Sequence, residues 1–86
     1  MVKKDVEIRL SGGLEARPIA VLVQIASQFD SKIYLGAADG KKVNAKSIMG
    51  MMTLGLPVGE KVSVEAEGAD AEASVDAIEK YLTSQE

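Results

Sequence analysis

Two stretches of this chain alternate between apolar and polar residues, and two others repeat their apolar residues every three or four positions. From Val2 to Leu10, the side chains of Val6, Ile8 and Leu10 fall on one side and those of Asp5, Glu7 and Arg9 on the other. From Lys61 to Glu67, Val62, Val64 and Ala66 alternate with Lys61, Ser63, Glu65 and Glu67. A period of two describes a strand with one dry and one wet face. Such strands build an antiparallel sheet whose second face stays in water, so the helices must cover one side only.

The remaining segments fit that frame. Residues 16–29 carry Ile19, Leu22, Val23, Ala26 and Phe29 on a helical period, with Pro18 in the first turn, where its missing N–H costs nothing. The opposite side holds Arg17, Ala20, Val21, Gln24 and Gln28, a mixed face rather than a heavily charged one. Residues 31–36 and 41–45 read as short strands joined by Ala37-Ala38-Asp39-Gly40, a hairpin turn. Ser47 caps a short helix over 47–54, stopped at Gly55. A last helix over 71–83 has the stripe Ala71, Val75, Ile78 and Leu82, and Asp70 is placed to cap it. Thr83 to Glu86 are expected to fray. The order is βαββαβα. The expected fold class is α+β: an open-faced sandwich with a four-stranded antiparallel sheet covered on one face by three helices. At 86 residues the chain makes one domain, 1–86.

Composition narrows function more than fold. Apolar residues at 47% and charged residues at 27% exclude a disordered chain. There is no cysteine, hence no disulfide, thiolate metal site or thiol nucleophile. There is no histidine, which removes the commonest general base and metal ligand. A net charge of -3 gives no basic footprint for nucleic acid. No apolar run reaches the ~18 residues of a membrane span, and the Met-Val-Lys-Lys start is not a signal peptide. The expectation is a cytoplasmic protein without cofactor or metal.

Two helix starts could carry chemistry. In Gly12-Gly13-Leu14-Glu15-Ala16-Arg17-Pro18, a glycine pair leads to a helix N-terminus, where free N–H groups attract anions and Arg17 adds a bidentate cation. Glu15 at the same mouth is itself an anion. Its bland reading is a first-turn carboxylate contributing about 0.3–1 kcal/mol against the helix dipole, and a lone Glu is a poor acid–base apparatus. In Lys46-Ser47-Ile48-Met49-Gly50, Ser47 reads blandly as an N-cap, worth about 1 kcal/mol. The sharper reading is a phosphorylation site, since the dipole and free N–H groups favour a phosphoryl group there. Ile48, Met49 and Met52 then form an adaptable partner surface. Residue chemistry alone does not choose between that surface and four methionines filling the core.

At these two sites the chain resembles a known family. Gly13-Leu14-Glu15-Ala16-Arg17-Pro18 is similar to the Gly-Leu-His-Ala-Arg-Pro signature of HPr, the phosphocarrier of the sugar phosphotransferase system. Lys41-Lys42-Val43-Asn44-Ala45-Lys46-Ser47-Ile48-Met49-Gly50 resembles the regulatory-serine segment of HPr proteins from low-GC Gram-positive bacteria. The resemblance runs over nearly the whole chain, including the element order; only the turn at Gly36–Gly40 is about one residue longer than the family's usual turn. It implies that the carrier histidine is replaced by Glu15, so phosphocarrier activity is absent and no catalytic residue remains. It points to the Crh-like branch, which also lacks that histidine but keeps the serine, although that branch has glutamine where this chain has Glu15. A fixed charge there, near Arg17, would imitate a phosphorylated histidine. A histidine-to-glutamate change engineered into an ordinary carrier would leave the same motif.

By the same resemblance, Ser47 is phosphorylated by HPr kinase/phosphorylase, and the product is a corepressor for a LacI-type catabolite-control transcription factor. The implied contact residues are Arg17, Ala20, Val21, Gln24, Ile48, Met49 and Met52. Other implied partners are metabolic enzymes and a second copy of the chain, formed by exchange of the first strand with Ser11-Gly12-Gly13 as hinge. Direct binding of nucleic acid or membrane is not expected. Two other readings stand beside this one. The first is a phosphorylation-independent module that modulates a metabolic enzyme or transporter; the second is acyl-phosphate transfer through Glu15.

Overall fold

The structure, a computed structural model, describes residues 1–84. Its elements are β1 (Val2–Glu7), α1 (Ala16–Ser27), β2 (Lys32–Gly36), β3 (Lys42–Asn44), α2 (Ile48–Met52), β4 (Lys61–Glu67) and α3 (Ala71–Leu82). The strands form one sheet in the order β1-β4-β2-β3. Every neighbouring pair is antiparallel, with Val6 opposite Val62, Leu35 opposite Val64, and Tyr34 opposite Asn44. This is the α+β open-faced sandwich that the alternation requires.

The dry face of the sheet and the inner stripes of the helices meet in one core. Val6, Ile8, Ile33, Leu35, Val62, Val64 and Ala66 come from the sheet side, and Ile19, Leu22, Ala26, Val75, Ile78 and Leu82 from the helices. Val23 and Phe29, expected in the core stripe of α1, are only partly buried and pack at its edge. On the wet face, Glu65 joins two strands by accepting from Lys42 at 2.8 Å, with Lys3 at 3.7 Å. The Lys42 ammonium also lies 5.0 Å from the Tyr34 ring centroid.

Several boundaries differ from the sequence reading: α1 ends at Ser27 rather than at residue 29, with Gln28 as its C-cap, β2 spans Lys32–Gly36 rather than 31–36, β3 spans Lys42–Asn44 rather than 41–45, and α3 ends at Leu82 rather than at residue 83. The first strand leaves the ladder after Glu7 rather than at Leu10. Ile8 turns to the Gly59–Glu60 turn instead, and the Arg9 N–H donates to the Leu82 carbonyl at the end of α3 (2.8 Å). Ile8 and Leu10 still point inward. The short helix ends at Met52, before Gly55, because Thr53 takes the cap position and its hydroxyl donates to the Gly50 carbonyl. Of the residues expected to fray, Thr83 and Ser84 are drawn back onto α3: the Thr83 hydroxyl donates to the Glu79 carbonyl (2.8 Å) and the Ser84 N–H to the Tyr81 carbonyl (3.1 Å). The rest of that expectation, Gln85 and Glu86, lies outside the described residues.

A further correction concerns Asp70. It occupies the N-cap position of α3 but makes no side-chain cap bond. Its carboxylate instead accepts from the backbone N–H groups of Asp30 (2.9 Å) and Ser31 (3.0 Å) and from the Ser31 hydroxyl. The β4–α3 corner is thereby tied to the α1–β2 loop. Gly68 makes room for this tie, since a Cβ there would lie 2.6 Å from the Ser31 hydroxyl oxygen.

Candidate functional site

The segment before α2 is built to present Ser47. The Asn44 side-chain oxygen accepts from the Lys46 N–H (2.8 Å), and the Ser47 N–H donates to the Asn44 carbonyl (3.1 Å). This Asx-type turn follows directly from the last residue of β3. Ala45, inside the turn, is fully buried and donates its N–H to the Ile33 carbonyl. Ser47 then caps α2 as its sequence predicts: its backbone is extended and its hydroxyl oxygen accepts from the Gly50 N–H (3.2 Å). Ser47 itself is half-buried. No acidic residue lies in the first turn of α2 to oppose a second negative charge.

Lys46 and Lys41 hold this corner from two sides. The Lys46 ammonium donates to the Phe29 carbonyl just beyond α1 (2.6 Å), and the Lys41 ammonium to the Thr53 carbonyl at the end of α2 (3.1 Å). Both cations thus sit at negative helix ends. The sequence gives no signal for either contact.

Three apolar side chains of α2 face water. Met49 is 83% exposed, Met52 53% and Ile48 49%, whereas Met51 is fully buried. The alternative in which all four methionines fill the core is therefore overturned. A helix of 5 residues packed against β3 and α1 has only one inner side, and Met51 takes it.

At the other end of α1, Glu15 has an extended backbone at the N-cap position, and its carboxylate makes no cap bond. It stands one residue outside the first turn, so it is not the first-turn carboxylate of the bland reading. Only its carbonyl enters the helix ladder, accepting from the Ile19 N–H (2.8 Å). Gly13 fixes this entry. It has a φ of 79°, and a Cβ there would lie 2.8 Å from the Leu56 carbonyl oxygen. The neighbouring Leu14 N–H donates to that same oxygen at 2.7 Å.

Glu15 and Arg17 line one cleft of about 360 Å³ with Val21, Ser11, Tyr81 and Ser84. Arg17 is exposed and makes no ion pair among the described residues, so its donor fork is available to an anion. Tyr81 and Ser84 were missed by sequence reasoning, because nothing local at the end of α3 marks them as neighbours of α1's start. Burial pushes the Tyr81 phenol above its ordinary pKa. Ser47 and the methionines are not part of this cleft. The 12 residues of α1, about 18 Å long, separate its Glu15 start from the Phe29 end that Lys46 holds. Along that length Ala20 and Val21 are half-buried and Gln24 is exposed.

Comparison with known proteins gives a consistent picture. Residues 2–84 match the family described as "PTS HPr component phosphorylation site". The chain is 46% identical over 82 residues to the HPr-like protein Crh of Bacillus subtilis (strain 168), covering 95% of each chain. It superimposes on the crystal structure of HPr-C-His from Thermoanaerobacter tengcongensis with a TM-score of 0.91 at 45% identity, covering 99% of this chain and 94% of that one. Against the crystal structure of Bacillus subtilis Crh, described as a domain-swapped dimer, the TM-score is 0.77 at 45% identity, with 99% and 97% covered. The chain is also 46% identical over 82 residues to the phosphocarrier protein HPr of Treponema pallidum (strain Nichols), covering 95% of this chain and 92% of that one, so overall identity is equal toward a protein named as a carrier and toward Crh. Individual residues have to separate the two.

Proposed function

The chain belongs to the HPr family, and we propose that within it this protein is a non-catalytic regulator of carbon catabolite repression, switched by phosphorylation of Ser47. The observation that carries the reading is residue 15. Phosphoryl carriage in this family uses an imidazole at the mouth of α1, and here that place holds a carboxylate beside Arg17. A carboxylate cannot form the phosphoimidazole bond. The serine corner, in contrast, is complete.

In the proposed reaction the Ser47 hydroxyl oxygen attacks the γ-phosphorus of ATP on HPr kinase/phosphorylase. The bond to the bridging oxygen breaks, ADP leaves, and the hydroxyl proton passes to a base of the kinase. The phosphoryl group adds about -1.5 to -2 charges at the start of α2, where the helix N–H groups favour it. A LacI-type catabolite-control transcription factor reads the product through an arginine facing the phosphoryl group and an apolar surface facing Ile48, Met49 and Met52. Arg17, Ala20, Val21 and Gln24 supply the polar and small side chains of the adjoining α1 face. The domain-swapped dimer of the Bacillus subtilis relative supports a homodimer as a further state. No helix among the described residues is long and apolar enough to cross a membrane.

The exposure of Met49 without any modification favours one alternative, a module that binds a metabolic enzyme or transporter constitutively. Incubation with ATP and a Gram-positive HPr kinase, read by intact mass and site mapping, separates the two. One phosphoryl group on Ser47, with capture of the transcription factor by that form alone, is the expected result. A well-folded protein that takes up no phosphoryl group sinks the switch and leaves the constitutive module.

A further inference from the structure

The chain has four methionines and no cysteine, so any sulfur redox chemistry it performs falls to thioethers. Their environments differ sharply. Met49 and Met52 are 83% and 53% exposed on α2, Met51 between them is 0% exposed, and Met1, at 82%, is at the chain start. Both exposed α2 methionines lie within five positions of Ser47, on the apolar patch that Ile48 completes.

We propose that Met49 and Met52 are an oxidation site, converted by peroxide-class oxidants to sulfoxides that erase the apolar character of the Ser47 corner. The inference that this silences a partner interaction rests on the proposed function. The thioether sulfur of each residue attacks the distal oxygen of hydrogen peroxide. The O–O bond breaks, sulfur loses two electrons and gains the oxygen, and the other oxygen leaves as water. One peroxide is consumed per methionine. The product is a polar, chiral side chain that methionine sulfoxide reductases return to the thioether. The position suits a reversible mark. Sulfoxides at Met49 and Met52 project into water and leave the core alone, whereas one at Met51 would put a polar oxygen where no partner waits.

The test treats the folded protein with hydrogen peroxide and maps each methionine by peptide mass over time. Met49 and Met52 should oxidise on the timescale of Met1 and at least about tenfold faster than Met51. Retention on a hydrophobic-interaction matrix should fall, and sulfoxide reductase should restore it. A Met49→Leu/Met52→Leu variant should lose only the smaller part of its retention that oxidation of the exposed Met1 accounts for. Oxidation of Met51 in step with its neighbours, or unchanged retention of the oxidised protein, overturns the proposal. The same samples, phosphorylated on Ser47, are then titrated with a LacI-type catabolite-control protein. Oxidation should weaken binding about tenfold or more, but not for the double variant. Equal binding before and after oxidation removes the silencing. If even the unoxidised phosphoprotein fails to bind, the proposed function falls, while the oxidation site is still decided by the mapping and retention.

Discussion

The Ser31 hydroxyl donates to the Asp70 carboxylate, so the residue at the N-cap position of α3 serves a loop 39 residues away rather than its own helix. Ser31 is 1% exposed, and it packs into the space that the missing Cβ of Gly68 leaves open. Replacing it by alanine removes a bond to a charged acceptor but leaves the two backbone donors in place. Ser31→Ala should cost about 1–2 kcal/mol in urea unfolding, without a change in slope. A loss within experimental error would mean that the backbone donors alone hold the corner.

The same corner sets part of the acid stability. Hydrogen bonds from the Ser31 hydroxyl, then from the Asp30 N–H, hold the Asp70 carboxyl below its ordinary 3.8. A depressed folded pKa contributes stability that is complete above the unfolded value and lost as pH falls through the folded one. Asp70 therefore contributes in full above about pH 4, and the contribution fades as pH falls from there through its lower folded value. Glu65, lowered chiefly by its bond from Lys42, acts in the same direction. Asp70→Ala should destabilise at neutral pH and flatten, without abolishing, the fall in midpoint between pH 5 and pH 2. An unchanged acid profile would assign that fall to other carboxylates.

The two glycines before α1 should behave differently. Both have positive φ, 84° at Gly12 and 79° at Gly13. Around Gly12 a Cβ meets nothing within 4 Å, whereas at Gly13 it meets the Leu56 carbonyl oxygen at 2.8 Å and Pro57 Cα at 2.9 Å. Gly12→Ala bears only the backbone strain, about 1 kcal/mol, while Gly13→Ala adds a backbone clash and should cost about 3 kcal/mol or more. Equal losses in denaturant unfolding would show that the α2–β4 loop yields freely.

The fold was legible because both periods are clean in this chain. Val62, Val64 and Ala66 alternate without a break, and that strand appears with the bounds its pattern gives. Ends were less legible. Where Ile8 leaves the ladder depends on the turn at Gly59–Glu60, and Asp70's partners lie in another loop. The same physics divides the candidate site. Ser47 caps through a residue three positions on, so its role is written locally. The cleft joins Arg17 to Tyr81, and the Ser47 turn joins Lys46 to Phe29, across distances that no local pattern encodes.

The cap at Ser47 allows the fold and the proposed switch to be varied separately. Ser47→Ala deletes the acceptor for the Gly50 N–H and should lower stability by about 1 kcal/mol, besides abolishing phosphorylation. Ser47→Asp keeps a capping oxygen and a negative charge, and should stay within a few tenths of a kcal/mol of the parent protein. If the aspartate variant loses as much stability as the alanine one, the Gly50 bond contributes little and the serine is held by its backbone alone.

Glu15 offers the sharpest contrast between carrier and regulator. It is exposed and neither caps α1 nor forms an ion pair among the described residues, so substitutions there should move stability by no more than about 0.5 kcal/mol. Glu15→His restores an imidazole, ordinarily near pKa 6.5 and thus largely neutral and nucleophilic above pH 7. Arg17 still lines the same cleft, ready for the incoming phosphoryl group. With phosphoenolpyruvate and enzyme I, that variant should take up an acid-labile phosphoryl group that the parent protein does not. Glu15→Gln should remain unlabelled but lose the fixed charge beside Arg17. If that charge imitates a phosphorylated histidine, the glutamine variant binds the Ser47-directed partner with altered affinity. Unchanged affinity for Glu15→Gln would remove the imitation, and an unlabelled Glu15→His would show that the cleft around Tyr81 and Ser84, not residue 15 alone, has abandoned phosphoryl carriage.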